Sequence, residues 1–140
     1  MILENEKLSL QINDNDGSLE SIINKTFDIE TISQKEKAEN FRLSIPLEDD
    51  WAHIVHGKET KAKINQISSE EATIEWNITE MNSKNVDIKL IAGLKLKNDE
   101  ITTQYEIINK SSFMIDYVWY PIIGGITKLS EEDTDDLYRP

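Results

Sequence analysis

Val86-Asp87-Ile88-Lys89-Leu90-Ile91-Ala92-Gly93-Leu94-Lys95-Leu96 places an apolar side chain at every second position. Successive side chains on an extended chain point to opposite faces, so Val86, Ile88, Leu90, Ala92, Leu94 and Leu96 share one face. That face belongs against a core and the other against water. Half-buried strands of this kind make antiparallel sheets, whereas parallel sheets are covered on both faces and read as continuous apolar runs.

The same period recurs on both sides of this stretch. Leu8, Leu10 and Ile12 alternate with polar residues, as do Phe41, Leu43 and Ile45. Ala72, Ile74, Trp76 and Ile78 form another such set, and Ile101, Thr103, Tyr105 and Ile107 a further one. Turn-forming clusters punctuate them: Asn13-Asp14-Asn15-Asp16-Gly17, Asn82-Ser83-Lys84-Asn85, Lys97-Asn98-Asp99-Glu100 and Asn109-Lys110-Ser111-Ser112. The pattern predicts an all-β fold, an antiparallel β-sandwich of about nine strands with minimal helix. Helical turns are expected only at Gln34–Asn40 and Glu48–Ile54.

Met114–Ile126 reads differently, because Tyr117-Val118-Trp119-Tyr120-Pro121-Ile122-Ile123 leaves little polar relief on either face. It is expected to form a strand covered on both sides. Pro121 has no N–H for the ladder and marks an edge or a bulge. Gly124-Gly125 permits a sharp bend or close approach by another chain. Ser130-Glu131-Glu132-Asp133-Thr134-Asp135-Asp136 then has no apolar residue. Residues 1–127 therefore read as the β-domain, and 128–140 as an acidic linker or the start of a truncated downstream region.

The 140 residues carry 27 acidic and 15 basic side chains, a net charge of -12. Such a chain lacks the basic footprint that binding nucleic acid or an anionic membrane surface requires. The absence of cysteine excludes disulfides, a thiolate nucleophile and cysteine-ligated zinc. No basic leader and no long apolar stretch is present, so the expected location is cytoplasmic.

Chemistry-bearing motifs are few. Asp14-Asn15-Asp16-Gly17 resembles part of a calcium loop, but placing Gly17 sixth puts Ile12 first and Ile23 twelfth. A plain turn is the better reading. His53 and His56 beside Asp49 and Asp50 would share a helix face and could ligate a metal. Two ordinary loop histidines are the better reading, and a sugar-contacting loop is the other alternative. No nucleophile elbow and no phosphate-binding glycine loop is present. Trp76 belongs to a core and Trp119 to a core or a sheet interface. Trp51, after three acidic residues, is the best exposed aromatic. The candidate sugar contacts are thus Trp51, Asp49, Asp50, His53 and His56, with no catalytic residue, metal or cofactor assigned.

Several segments resemble the N-terminal β-domain of glycoside hydrolase-like proteins, a relative of the galactose mutarotase-like supersandwich. Leu3-Glu4-Asn5 precedes the strand Lys7–Asn13 and the turn ending in Asp16-Gly17. Ser18-Leu19-Glu20-Ser21-Ile22-Ile23-Asn24-Lys25 is similar to the opening hairpin of such domains. Ile101–Ile108 followed by Asn109-Lys110-Ser111, and Tyr120-Pro121-Ile122-Ile123-Gly124-Gly125-Ile126, resemble later segments. The likeness covers residues 1 to about 127. It implies a supersandwich-like fold, with catalytic carboxylates in a following barrel that needs about 250 residues of its own. Neither His53 nor His56 matches a mutarotase motif. The expected function is a non-catalytic module of a carbohydrate-active enzyme, packing on a catalytic domain and contacting sugar. The alternative is a stand-alone structural domain that homodimerises through its sheets; a small sugar-acting enzyme is a third reading. Carbohydrate, a second copy or a downstream catalytic domain are the partners these readings imply.

Overall fold

A computed structural model describes residues 1–51 and 53–127. The acidic segment 128–140 lies outside the described residues. The chain is all-β. One sheet holds β1 (Ile2–Glu4), β2 (Leu8–Ile12), β3 (Leu19–Asn24) and β4 (Ile29–Glu30) in that order. A second is built from β7 (Ala62–Gln66), β8 (Glu71–Met81), β9 (Lys84–Lys97) and β10 (Glu100–Asn109), ordered β10-β9-β8-β7. The third joins β5 (Arg42–Ile45), β6 (His53–His56) and β11 (Tyr117–Trp119) in the order β11-β5-β6. Among the described residues every strand pair is antiparallel.

The three sheets bury a single core in a sandwich-like arrangement. Val86, Ile88, Leu90, Ala92, Leu94 and Leu96 are all buried, with no more than 8% exposure. They meet Ala72, Ile74, Trp76 and Ile78 of β8, Leu8, Leu10 and Ile12 of β2, and Leu43 and Ile45 of β5. Each large apolar side chain withdrawn from water contributes about 1.5–3 kcal/mol, which sets the faces of these strands. β10 has an open edge, and its core-side residues Ile101, Tyr105 and Ile107 are only half-buried.

Trp76 anchors the core to a turn. Its ring meets Phe41 edge-on with centroids 5.4 Å apart, and its Nε1–H donates to the Asp16 carbonyl at 2.9 Å. The 13–17 turn closes on itself. The Asn13 Oδ1 accepts from the N–H groups of Asn15 and Asp16, and the Asp16 Oδ1 from that of Ser18. The Asn13 and Asp16 oxygens thus serve the turn backbone, while the Asp14 Oδ1 accepts from the N-terminal ammonium of Met1 at 2.7 Å. Gly17 has φ +75°, and a Cβ there would lie 2.8 Å from the Trp76 ring.

Three expectations need correction. Met114–Ile126 is not a strand covered on both sides: only Tyr117–Trp119 is extended in a sheet, and Tyr117, Val118 and Trp119 are all exposed. The reason is its place at the edge of the small sheet, paired with β5 alone. Glu48–Trp51 is not helical, and neither are His53 and Ile54. The 3₁₀ turns lie at Lys35–Lys37, within the expected Gln34–Asn40, and at Gly57–Glu59. His53–His56 is strand β6 because it pairs residue for residue with β5. Finally, the close approach at Gly124 comes from this chain's own segment. A Cβ there would sit 2.1 Å from the Gln34 carbonyl oxygen, and the Gln34 N–H donates to the Gly124 carbonyl at 2.7 Å.

Candidate functional site

The site begins with a buried carboxylate. The backbone of Glu39 forms an isolated antiparallel bridge with Ile122, with paired bonds of 3.0 and 2.9 Å. The Glu39 side chain is 1% exposed and is held against the Arg42 and His56 side chains of the small sheet. The Arg42 Nε–H donates to one oxygen at 2.6 Å, and the His56 Nδ1 lies 3.0 Å from the other. An ionised carboxylate can only accept, so the imidazole carries its proton on Nδ1 toward Glu39. With the proton on Nδ1 alone, Nε2 is left as an acceptor; with both nitrogens protonated, it donates. Arg42 spends its Nε on Glu39 and keeps its Nη groups for other partners.

Register then lines up the surface beside Glu39. Arg42 lies opposite His56 on β6 and opposite Trp119 on β11. Cross-strand partners share a face. Trp119, Arg42 and His56 therefore form one row across the three strands, and Tyr117, Ser44 and Ile54 form the next. This face is opposite to Leu43, which is fully buried in the core. Trp119 is 45% exposed and Tyr117 61%. Their rings tilt together with centroids 5.9 Å apart. Arg42, Ile54, His56, Trp119 and Ile122 line a cleft of about 280 Å³. A larger concavity of about 460 Å³ beside Gln11, Glu20, Ser21 and Glu30 lacks an aromatic wall.

Tyr120 fastens the end of this strand to the large sheet. Its ring stacks on Tyr105 of β10, with centroids 4.3 Å apart and planes 18° off parallel. Neither hydroxyl has a hydrogen-bond partner among the described residues. Burial disfavours both phenolates, pushing the Tyr120 phenol up to about 12 and raising that of Tyr105 as well.

Of the five side chains expected to contact sugar, only His56 lines the cleft. Trp51 is 81% exposed in a turn, and Asp49 and Asp50 are exposed beside it. His53 pairs instead with Asp50, Nδ1 to Oδ2 at 3.0 Å. His53 and His56 stand three apart on a strand, so they point to opposite faces and do not share a metal. No cluster of three or more histidine, aspartate or glutamate side chains suited to a metal occurs among the described residues. No helix there is long and apolar enough to cross a membrane.

Sequence reasoning missed Glu39, Arg42 and Trp119. Arg42 was within reach, since Phe41, Leu43 and Ile45 assign it to the opposite, outward face. Glu39 gave no signal, being one acidic residue among 27. Trp119 was assigned to a core or a sheet interface, and its exposed place on an edge strand corrects the core reading. No family model matches the chain, and no curated protein matches it either.

Proposed function

We propose that the chain is a non-catalytic β-sandwich module of a glycoside hydrolase-like protein, and that the Trp119 cleft contacts carbohydrate. The observation that carries this reading is the cross-strand row of Trp119, Arg42 and His56. An exposed indole offers a flat apolar face for the C–H groups of a pyranose ring, while the guanidinium and imidazole beside it reach hydroxyls. Both Glu39 oxygens are engaged, so this carboxylate orients its neighbours rather than reaching a ligand. Its role is therefore to set the geometry of binding. Titration of the protein with oligosaccharides, followed by calorimetry or by amide chemical shifts, tests the reading. Shifts should cluster at Arg42, His56 and Trp119 and vanish in Trp119→Ala. A full panel of neutral and acidic oligosaccharides that binds nowhere on this face would overturn it.

A second reading is a domain that homodimerises through its sheets. Tyr117, Trp119, Ile123 and Ile126 favour it, being exposed by 61%, 45%, 39% and 60% along one short segment. Contiguous exposed apolar residues mark interaction surfaces. Sedimentation at twice the 16.1 kDa chain mass distinguishes this reading.

A further inference from the structure

The polar atoms of the cleft are unequal in kind. Arg42 offers the N–H groups of its two Nη atoms, and Trp119 an indole N–H. Among the lining side chains only the His56 ring can accept, through Nε2 when Nδ1 alone carries a proton, and none accepts when the ring is doubly protonated. Glu39 supplies no further acceptor to the surface, because it is 1% exposed and holds Arg42 and His56. A neutral sugar presents hydroxyls that must donate as well as accept, so it finds few acceptors here. A ligand rich in acceptors fits better.

We infer that the cleft takes a sugar acid, with a carboxylate on the Arg42 Nη groups and the sugar ring against Trp119. This rests on the carbohydrate reading above. Glu39 engages Arg42 through Nε, which leaves the end of the guanidinium fork open. That fork matches the two oxygens of a carboxylate, which accept and do not donate. One ring hydroxyl can donate to an unprotonated His56 Nε2, and the apolar walls Ile54 and Ile122 flank the ring. The net charge of -12 opposes any anion at long range. Its reach is about 8–10 Å at ordinary salt, and the Glu39 carboxylate on Arg42 Nε lies inside it, so both weaken binding without cancelling a direct two-point contact on the Nη groups.

The test is calorimetric titration of the folded chain with a hexuronate trimer, the matching neutral hexose trimer, the methyl ester of the uronate trimer, and sodium acetate. The uronate should bind about 10-fold or more tightly than the neutral trimer, and less tightly as salt is raised. Its methyl ester should fall to the neutral level, a control that leaves the protein unchanged. Trp119→Ala should abolish uronate binding, and Arg42→Lys should erase most of the preference. Equal binding of the acidic and neutral trimers would overturn the sugar-acid assignment and leave the carbohydrate reading standing. Acetate binding as tightly as the uronate would also overturn the assignment, because the ring would then contribute nothing. If neither trimer bound, the sugar-acid assignment would fall, and the carbohydrate reading would stand or fall on the full oligosaccharide panel.

Discussion

Trp76 sits where three elements meet: its ring is fully buried against Phe41, and its N–H holds the 13–17 turn. Deleting a buried large aromatic costs about 3–5 kcal/mol, much of the stability of a domain this size. Trp76→Ala should show that loss in denaturant melts; a change below about 1 kcal/mol would contradict the packing. Glu30 makes a different case. Burial opposes its ionisation, but the Ser21 hydroxyl and the backbone N–H groups of Ile32, Ile22 and Thr31 outweigh this and lower its pKa from 4.5. A carboxylate with a depressed folded pKa stabilises the fold above its unfolded pKa and loses that contribution as pH falls through the folded value. The stability gap between the natural protein and Glu30→Gln should therefore be widest near neutral pH. It should shrink as pH falls below 4.5. Urea melts across the acidic range will read it, and a gap independent of pH would contradict the hydrogen-bond assignment.

β8 and β9 meet at a two-residue turn in which Asn82 and Ser83 both adopt positive φ, 48° and 59°. A hairpin loop of this length suits the strand twist, and its second position favours glycine. Ser83→Gly should relieve the left-handed strain and stabilise the protein by about 0.5–1 kcal/mol, offset in part by glycine's entropy. Thermal melts will show the sign. Long strands such as these were legible because a period of two repeats often enough to identify a face. β1, β4 and β11 were not, since two or three residues carry no period. Their places are set by partners elsewhere in the chain. The site follows the same division. Alternation along β5 implies an outward Arg42, but no local pattern could show that Glu39, bridged to Ile122, is buried against Arg42 and His56. Burial of a charge runs against its ordinary tendency, and only tertiary pairing reveals it.

On the scale of the whole molecule, the apolar segment expected to be covered is instead open to solvent at Trp119 and Ile123. Its backbone is partly engaged by the chain itself, through the bridges Ile32–Ile126 and Glu39–Ile122. What is left for a second copy is therefore the outer face of β11 and the side chains beyond it. On the homodimer reading, sedimentation at high micromolar concentration should show twice the 16.1 kDa chain mass, and Trp119→Ser should return the monomer. A clean monomer for the natural sequence would end that reading. Both proposals use Trp119, so a bound saccharide should compete with self-association.

The stacked pair Tyr105–Tyr120 makes the molecule selective toward tetranitromethane, which modifies phenolates. With Tyr120 held at about 12 and Tyr105 raised too, neither ring offers much phenolate near neutrality. Tyr117 stands 61% exposed close by. Among these three rings, nitration should mark Tyr117 first, as peptide mass spectrometry would register. Later nitration of Tyr105 or Tyr120 would then report separation of β11 from β10, giving a chemical clock for the opening of that junction.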